Sequence, residues 1–140
     1  MVTLGLDIGT TTISAVAVEE GRVLAAETLP NDAALPGEDW ERKQDPRRIL
    51  LLARQAVERL LARFPQTERI GVTGQQHGIV YLDRDGQPVS PLYTWQDQRG
   101  RRQTPEGDTY VARLRTLTGC NVPAGYGMVT HFYNVNNGLV

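Results

Sequence analysis

Three short stretches of this 140-residue chain gather side chains able to do chemistry. The first, Asp7-Ile8-Gly9-Thr10-Thr11-Thr12, sets a carboxylate ahead of a glycine and three hydroxyls. A glycine lets backbone N–H groups approach an anion closely, and neighbouring hydroxyls add donors to the same concavity. Gly9, Thr10, Thr11 and Thr12 therefore read as a phosphate loop, with Asp7 placed to hold a hydrated Mg²⁺ through water. The spacing differs from that of a P-loop and of a dinucleotide fingerprint. Successive threonines equally suit an ordinary strand.

The second stretch, Thr73-Gly74-Gln75-Gln76-His77-Gly78, encloses two amides and an imidazole between glycines. Neutral donors and acceptors of this kind suit the hydroxyls of a sugar, and a polar connecting loop is the plainer alternative. The third is Tyr93-Thr94-Trp95-Gln96-Asp97-Gln98-Arg99. There the Trp95 ring can cover C–H faces while Asp97 accepts from hydroxyls beside Arg99. Its structural alternative is a buried Trp95 at an edge with a surface Asp97–Arg99 pair.

These residues need elements to hold them. Alternation of Val2, Leu4, Leu6 and Ile8 predicts a strand, and Ile13, Ala15 and Ala17 continue the period in a second. Glu20-Gly21 predicts a tight turn into a third strand over 22–29, which completes an antiparallel meander. Residues 30–44, with two prolines, predict an irregular loop. Asp45-Pro46 opens a helix whose apolar face carries Ile49, Leu50, Ala53, Ala56, Val57, Leu60, Leu61 and Phe64, ended by Pro65. Short strands follow over 68–73 and 79–82, then a turn at Asp85-Gly86 and an extended piece over 91–95. Thr104-Pro105 predicts the start of a second helix with Tyr110, Val111, Leu114 and Leu117 on one face and Gly119 as its stop. Residues 132–140 read as a chain cut in mid-fold, without a terminal element.

Composition bounds the rest. A net charge of −1 gives no footprint for nucleic acid or an acidic membrane, and 40% apolar content suits a globular core. Lys43 is the one lysine among 15 basic residues, a bias of codon usage. A single Cys120 excludes a fold stapled by internal disulfides and reads as a small buried apolar group. No apolar stretch approaches the roughly 20 residues of a membrane helix, so a cytoplasmic location is expected.

Asp7-Ile8-Gly9-Thr10-Thr11 near the N-terminus, followed by two more strands, resembles the first phosphate loop of the sugar kinase, heat-shock protein and actin superfamily. The Gly74-Gln75-x-His77-Gly78 and Trp95-x-Asp97-x-Arg99 patterns are similar to those of FGGY carbohydrate kinases, especially xylulose and sedoheptulose types. Gln96 departs from the Asn often found there, and residues 118–127 resemble sedoheptulokinase-like members more weakly.

The resemblance implies an α/β fold of ribonuclease H-like (actin-like ATPase) type, a mixed sheet with an antiparallel N-terminal meander and packing helices. It implies that ATP and Mg²⁺ serve as cofactors and that a sugar, a ketose such as sedoheptulose or xylulose, receives the γ-phosphate. Asp7, Gly9, Thr10, Thr11 and Thr12 would face phosphate and metal. Gln75, Gln76, His77, Gly78, Trp95, Asp97 and Arg99 would bind the sugar. Residues 1–140 would form an incomplete N-terminal domain, with the general base and the C-terminal nucleotide-binding domain beyond residue 140. By itself such a piece would not turn over, and exposed apolar surface would favour self-association. The alternatives are an ATPase activator of the same superfamily, which would need cysteines for an iron–sulfur cluster, and a noncatalytic sugar-binding module.

Overall fold

The computed structural model describes residues 1–140. In chain order the strands are β1 (Val2–Ile8), β2 (Thr12–Glu19), β3 (Arg22–Pro30), β4 (Ala34–Leu35), β5 (Lys43–Gln44), β6 (Arg69–Gly74) and β7 (Leu92–Tyr93). The helices are α1 (Pro46–Arg63), α2 (Tyr110–Thr118) and α3 (Gly127–Asn136). They fall into two units, one of Met1–Ala33 with Pro46–Gln75 and one of Ala34–Asp45 with Gln76–Val140.

In the first unit the period-2 pattern puts Val2, Leu4 and Leu6 of β1 beside Ala17 and Ala15 of β2, all buried. The alanines leave room for α1, which packs on β1, β2 and β3 through Ile49, Leu52, Ala53, Ala56 and Leu60. Glu20 and Gly21 both adopt left-handed backbone (φ 49° and 77°), as a two-residue hairpin turn requires. Beyond α1 the chain returns as β6, parallel to β1, giving a mixed sheet of order β3-β2-β1-β6. The expected meander, long helix and following strand are all present.

The second unit is held by a small antiparallel sheet β4-β5-β7 and by α2 and α3. Its apolar core is Tyr93, Tyr110, Leu114, Ala124 and Val129. Several expectations are corrected here. Residues 30–44 are not irregular throughout, since β3 runs through Pro30 and the stretch contains β4 and β5. The piece over 79–82 makes isolated bridges, Ile79 to Tyr93 and Leu82 to Pro88, in place of a strand. The second helix begins at Tyr110, capped by the Thr109 hydroxyl, because a tight turn closed by Thr104 N–H to the Asp108 carbonyl precedes it. Leu117 is exposed on the last turn of that helix, before the left-handed Gly119 cap. Residues 127–136 form α3, so the end of the chain does carry an element. Cys120 is exposed, not buried, in the segment just past the α2 cap.

Candidate functional site

The Gly9–Thr12 turn, expected to meet phosphate, closes the β1–β2 hairpin of the first unit. Asp7 is exposed near the carboxyl end of β1, where its register partners are Ser14 on β2 and Thr73 on β6, with Thr28 of β3 opposite Ser14. A row of hydroxyl residues thus crosses the sheet beside the carboxylate, on the face opposite Leu6 and the α1 core. The sequence reading missed Ser14 and Thr28 and did not place Thr73 beside Asp7, because register across strands is not a local signal.

Gly9 is required by sterics. A Cβ there would fall 2.8 Å from the Thr12 carbonyl oxygen, to which the Gly9 N–H donates at 2.9 Å. That N–H, expected to face an anion, is spent within the turn. Asn31 clamps the loop from behind: its Nδ2 donates to the Gly9 carbonyl and its N–H to the Thr11 carbonyl, both at 2.9 Å. No motif marks Asn31, since an Asn just after a strand reads as a turn residue. The Thr10 hydroxyl donates to Gln75 Oε1 (3.2 Å), and the Gln75 N–H donates to the Ile8 carbonyl (2.8 Å). Gln75, expected among the sugar residues, is therefore tied to the Gly9–Thr12 turn. No group of three His, Cys, Asp or Glu side chains is arranged to hold a metal. A lone Asp7 carboxylate fits an ion such as Mg²⁺, which keeps much of its water and is bound through one or two carboxylates with substrate phosphates.

The second unit carries the remaining motif residues. Gln76, His77, Gly78 and Trp95 are exposed. His77 has left-handed backbone (φ 66°), and its ring stacks face to face on Tyr126, centroids 4.1 Å apart and planes within 6°. Gly78 lies against β7, where a Cβ would come within 2.6 Å of the Tyr93 carbonyl. Gly125 passes so close to Trp95 that a Cβ would overlap the Trp95 carbonyl oxygen, while the Gly127 N–H donates to the His77 carbonyl at 2.6 Å. Gly125-Tyr126-Gly127 thus joins the His77 segment to the Trp95 segment.

Asp97 and Arg99, expected among the sugar residues, are buried, at 0% and 1% exposure. Asp97 Oδ1 accepts from Arg99 N–H (3.0 Å) and Nε (2.7 Å), and Oδ2 accepts from Arg99 Nη2 (3.2 Å) and Arg42 N–H (2.9 Å). Arg99 Nη1 donates to Asn134 on α3, and the guanidinium sits 4.0 Å from the Tyr93 ring centroid, with Tyr133 and Trp40 also near it. The polar atoms of this pair, expected to meet a sugar, are engaged with each other, with the Arg42 backbone and with Asn134, so the pair braces the segment that carries Trp95. The structural alternative is corrected: Trp95 is exposed and the ion pair is buried. Thr94, buried beside them, donates through its hydroxyl to the Arg42 carbonyl (3.0 Å) and accepts from the Asp97 N–H (3.1 Å). Trp95 is thereby carried on a turn fixed on both sides.

Glu41 borders this network, 2.9 Å from Lys43 Nζ and 3.6 Å from Arg99 Nη2. Burial pushes its carboxyl pKa up, but the Lys43 hydrogen bond, the Glu38 N–H and the charges of Lys43 and Arg99 hold it below the ordinary 4.5. The folded chain then binds this proton more weakly than the unfolded chain. The stabilisation is whole above pH 4.5 and is lost as pH falls through the lowered value. Denaturant unfolding followed by tryptophan fluorescence between about pH 5 and about pH 3 should show a smaller loss of stability in Glu41→Gln than in the parent. Equal losses would show that Glu41 does not contribute.

The model of the FGGY family of carbohydrate kinases, N-terminal domain, matches residues 2–128. The chain belongs to this family. Among its relatives, the xylulose kinase of Klebsiella pneumoniae is 29% identical over 126 residues, covering 88% of this chain and 26% of that protein. The apulose kinase of Pectobacterium atrosepticum is 32% identical over 127 residues, covering 86% and 25%. The crystal structure of a xyloylose kinase from Brucella ovis superposes with a TM-score of 0.82 at 28% identity, over 99% of this chain and 30% of that one. The chain spans about a quarter of the length of the curated relatives it matches. Its architecture is the actin-like ATPase type of FGGY kinases, with the mixed β3-β2-β1-β6 sheet as the part expected from the sequence. No helix of this FGGY member is long and apolar enough to cross a membrane.

Proposed function

We propose that this chain is the opening domain of a longer cytoplasmic kinase that transfers the γ-phosphate of ATP to a hydroxyl of a ketose. The observation that carries the reading is the coincidence of the family match with exposed motif residues at both chemically equipped places. Asp7 stands at a strand end beside the Gly9–Thr12 turn, and His77 and Trp95 are exposed and joined through one glycine-rich segment. In phosphoryl transfer the protein's work is positioning and charge stabilisation, which suits such a division of labour.

In this reading Thr10, Thr11 and Thr12 meet phosphate oxygens, with Gln75 and Asn31 keeping the loop in shape. Asp7 would hold Mg²⁺ through water, and the ion when bound neutralises charge on the phosphates. Gln76, His77 and Trp95 orient the sugar, the indole covering a C–H face and the polar groups matching hydroxyls. The family names among the relatives, xylulose kinase and apulose kinase, favour a pentose ketose over sedoheptulose.

The test uses the full-length protein with ATP, Mg²⁺ and a panel of ketoses and aldoses that includes D-xylulose. A ketose should be the best acceptor. His77→Ala and Trp95→Ala should each raise its KM about tenfold, the worth of a well-made polar or aromatic contact, and leave the ATP KM within about twofold. Sugar KM values untouched by both substitutions, or no phosphorylation of any sugar, would overturn the reading.

A further inference from the structure

We infer that Tyr126 is a positioning residue for the sugar site, acting by fixing the plane of the His77 imidazole; this rests on the proposed role of His77 in sugar binding. The two rings lie parallel at 4.1 Å between centroids, with 6° between their planes. An imidazole on its own rotates broadly about its second side-chain torsion. A flat face against one side narrows that rotation to the stacked orientation, so the ring nitrogens point in set directions.

The backbone is tied to match. His77 occupies left-handed conformation, uncommon for a residue with a Cβ and a mark of a locally over-determined position. Its carbonyl accepts from the Gly127 N–H at 2.6 Å, one residue beyond Tyr126. On the other side of Tyr126, Gly125 is pressed against the Trp95 carbonyl. The Gly125-Tyr126-Gly127 segment therefore sets the backbone of His77, the plane of its ring and the seat of Trp95 together. Tyr126 itself is half-buried and is the N-cap of α3, its carbonyl accepting from the Val129 and Thr130 N–H groups. A residue anchored at the head of a helix makes a stiff wall for its neighbour's ring.

Two measurements on the full-length protein test this. Steady-state kinetics with ATP and the best ketose acceptor should show Tyr126→Ala raising the sugar KM roughly three- to tenfold, the range an aromatic pair supports. The kcat and the ATP KM should stay within about twofold, and Tyr126→Phe, which keeps the stack, should restore the parent value. In a His77→Ala background the Tyr126→Ala change should add almost nothing, since the two act as one unit. The His77 ring protons are assigned by NMR as the imidazole signals that disappear in His77→Ala. Their ring-current shift should persist in Tyr126→Phe and vanish in Tyr126→Ala.

An unchanged sugar KM in Tyr126→Ala, with His77→Ala impaired, would overturn the inference and leave the sugar site standing. Additive effects of the two alanine changes, or Tyr126→Phe as poor as Tyr126→Ala, would also overturn it, the latter by pointing to direct contact from the phenolic hydroxyl. Indifference of the sugar KM to both His77→Ala and Tyr126→Ala would remove the sugar-site reading, and this inference with it.

Discussion

Replacing Arg99 by Ala should destabilise the second unit by about 3–5 kcal/mol, the cost of leaving the other half of a buried ion pair without its partner. Asp97 would keep the Arg42 N–H but lose every guanidinium donor, inside a site where it is 0% exposed. The aromatic rings of Tyr93, Tyr133 and Trp40 would also lose the cation they surround, and Asn134 its donor. Most domains are stable by only about 5–15 kcal/mol, so the loss is a large share of the total. Both tryptophans, Trp40 and Trp95, lie in the second unit, so fluorescence during urea unfolding reads that unit alone. The Asp97→Asn/Arg99→Met double variant should recover part of the loss, because no bare charge then remains buried. A loss below about 1 kcal/mol in Arg99→Ala would mean the network does not hold the unit together.

The second large effect is on turnover. In the full-length protein Asp7→Ala should lower kcat roughly 10²–10³-fold, the usual scale for deleting one preorganised electrostatic group. The same variant should unfold within about 0.5 kcal/mol of the parent, because Asp7 is exposed and no buried network depends on it. Its sugar KM should stay near the parent value, since Asp7 is not among the residues proposed to bind the sugar. This split between a severe loss of kcat and an intact sugar KM and fold is what separates a phosphate or metal role from a structural one. A kcat within tenfold of the parent would remove Asp7 from the reaction.

Much of the fold was legible because one-dimensional periods carry it. Val2, Leu4 and Leu6 alternate, α1 keeps its apolar stripe for five turns after a proline at its first position, and Glu20-Gly21 supplies the left-handed pair for the hairpin. α3 was not legible, since Val129, Thr130, Phe132, Tyr133 and Val135 are β-branched or aromatic and signal no helix. Tertiary burial of Val129, Thr130 and Asn134 decides that segment. Thr104-Pro105 spells a helix start, but a tight turn over 104–108 leaves the cap to Thr109.

The candidate site divides in the same way. Residue types that meet solvent, Asp7, Gln76, His77 and Trp95, could be picked from the motif alone. The fate of Asp97 and Arg99 could not, because an exposed and a buried ion pair have the same spelling; Asn134, 35 residues away, and the surrounding rings decide the difference. Asn31 and Tyr126 likewise gain their meaning from partners distant in the chain.

The bare main-chain crossings around Trp95 bear on how the proposed sugar site could be re-engineered. Gly100 has no space for a methyl beside Val129 and Ala124, and Gly125 has none beside Trp95. Randomised libraries that include these two codons would spend most members on misfolded chains. Diversity confined to Gln76 and Trp95, whose side chains already face outward, explores new ligands while leaving the scaffold beneath them intact.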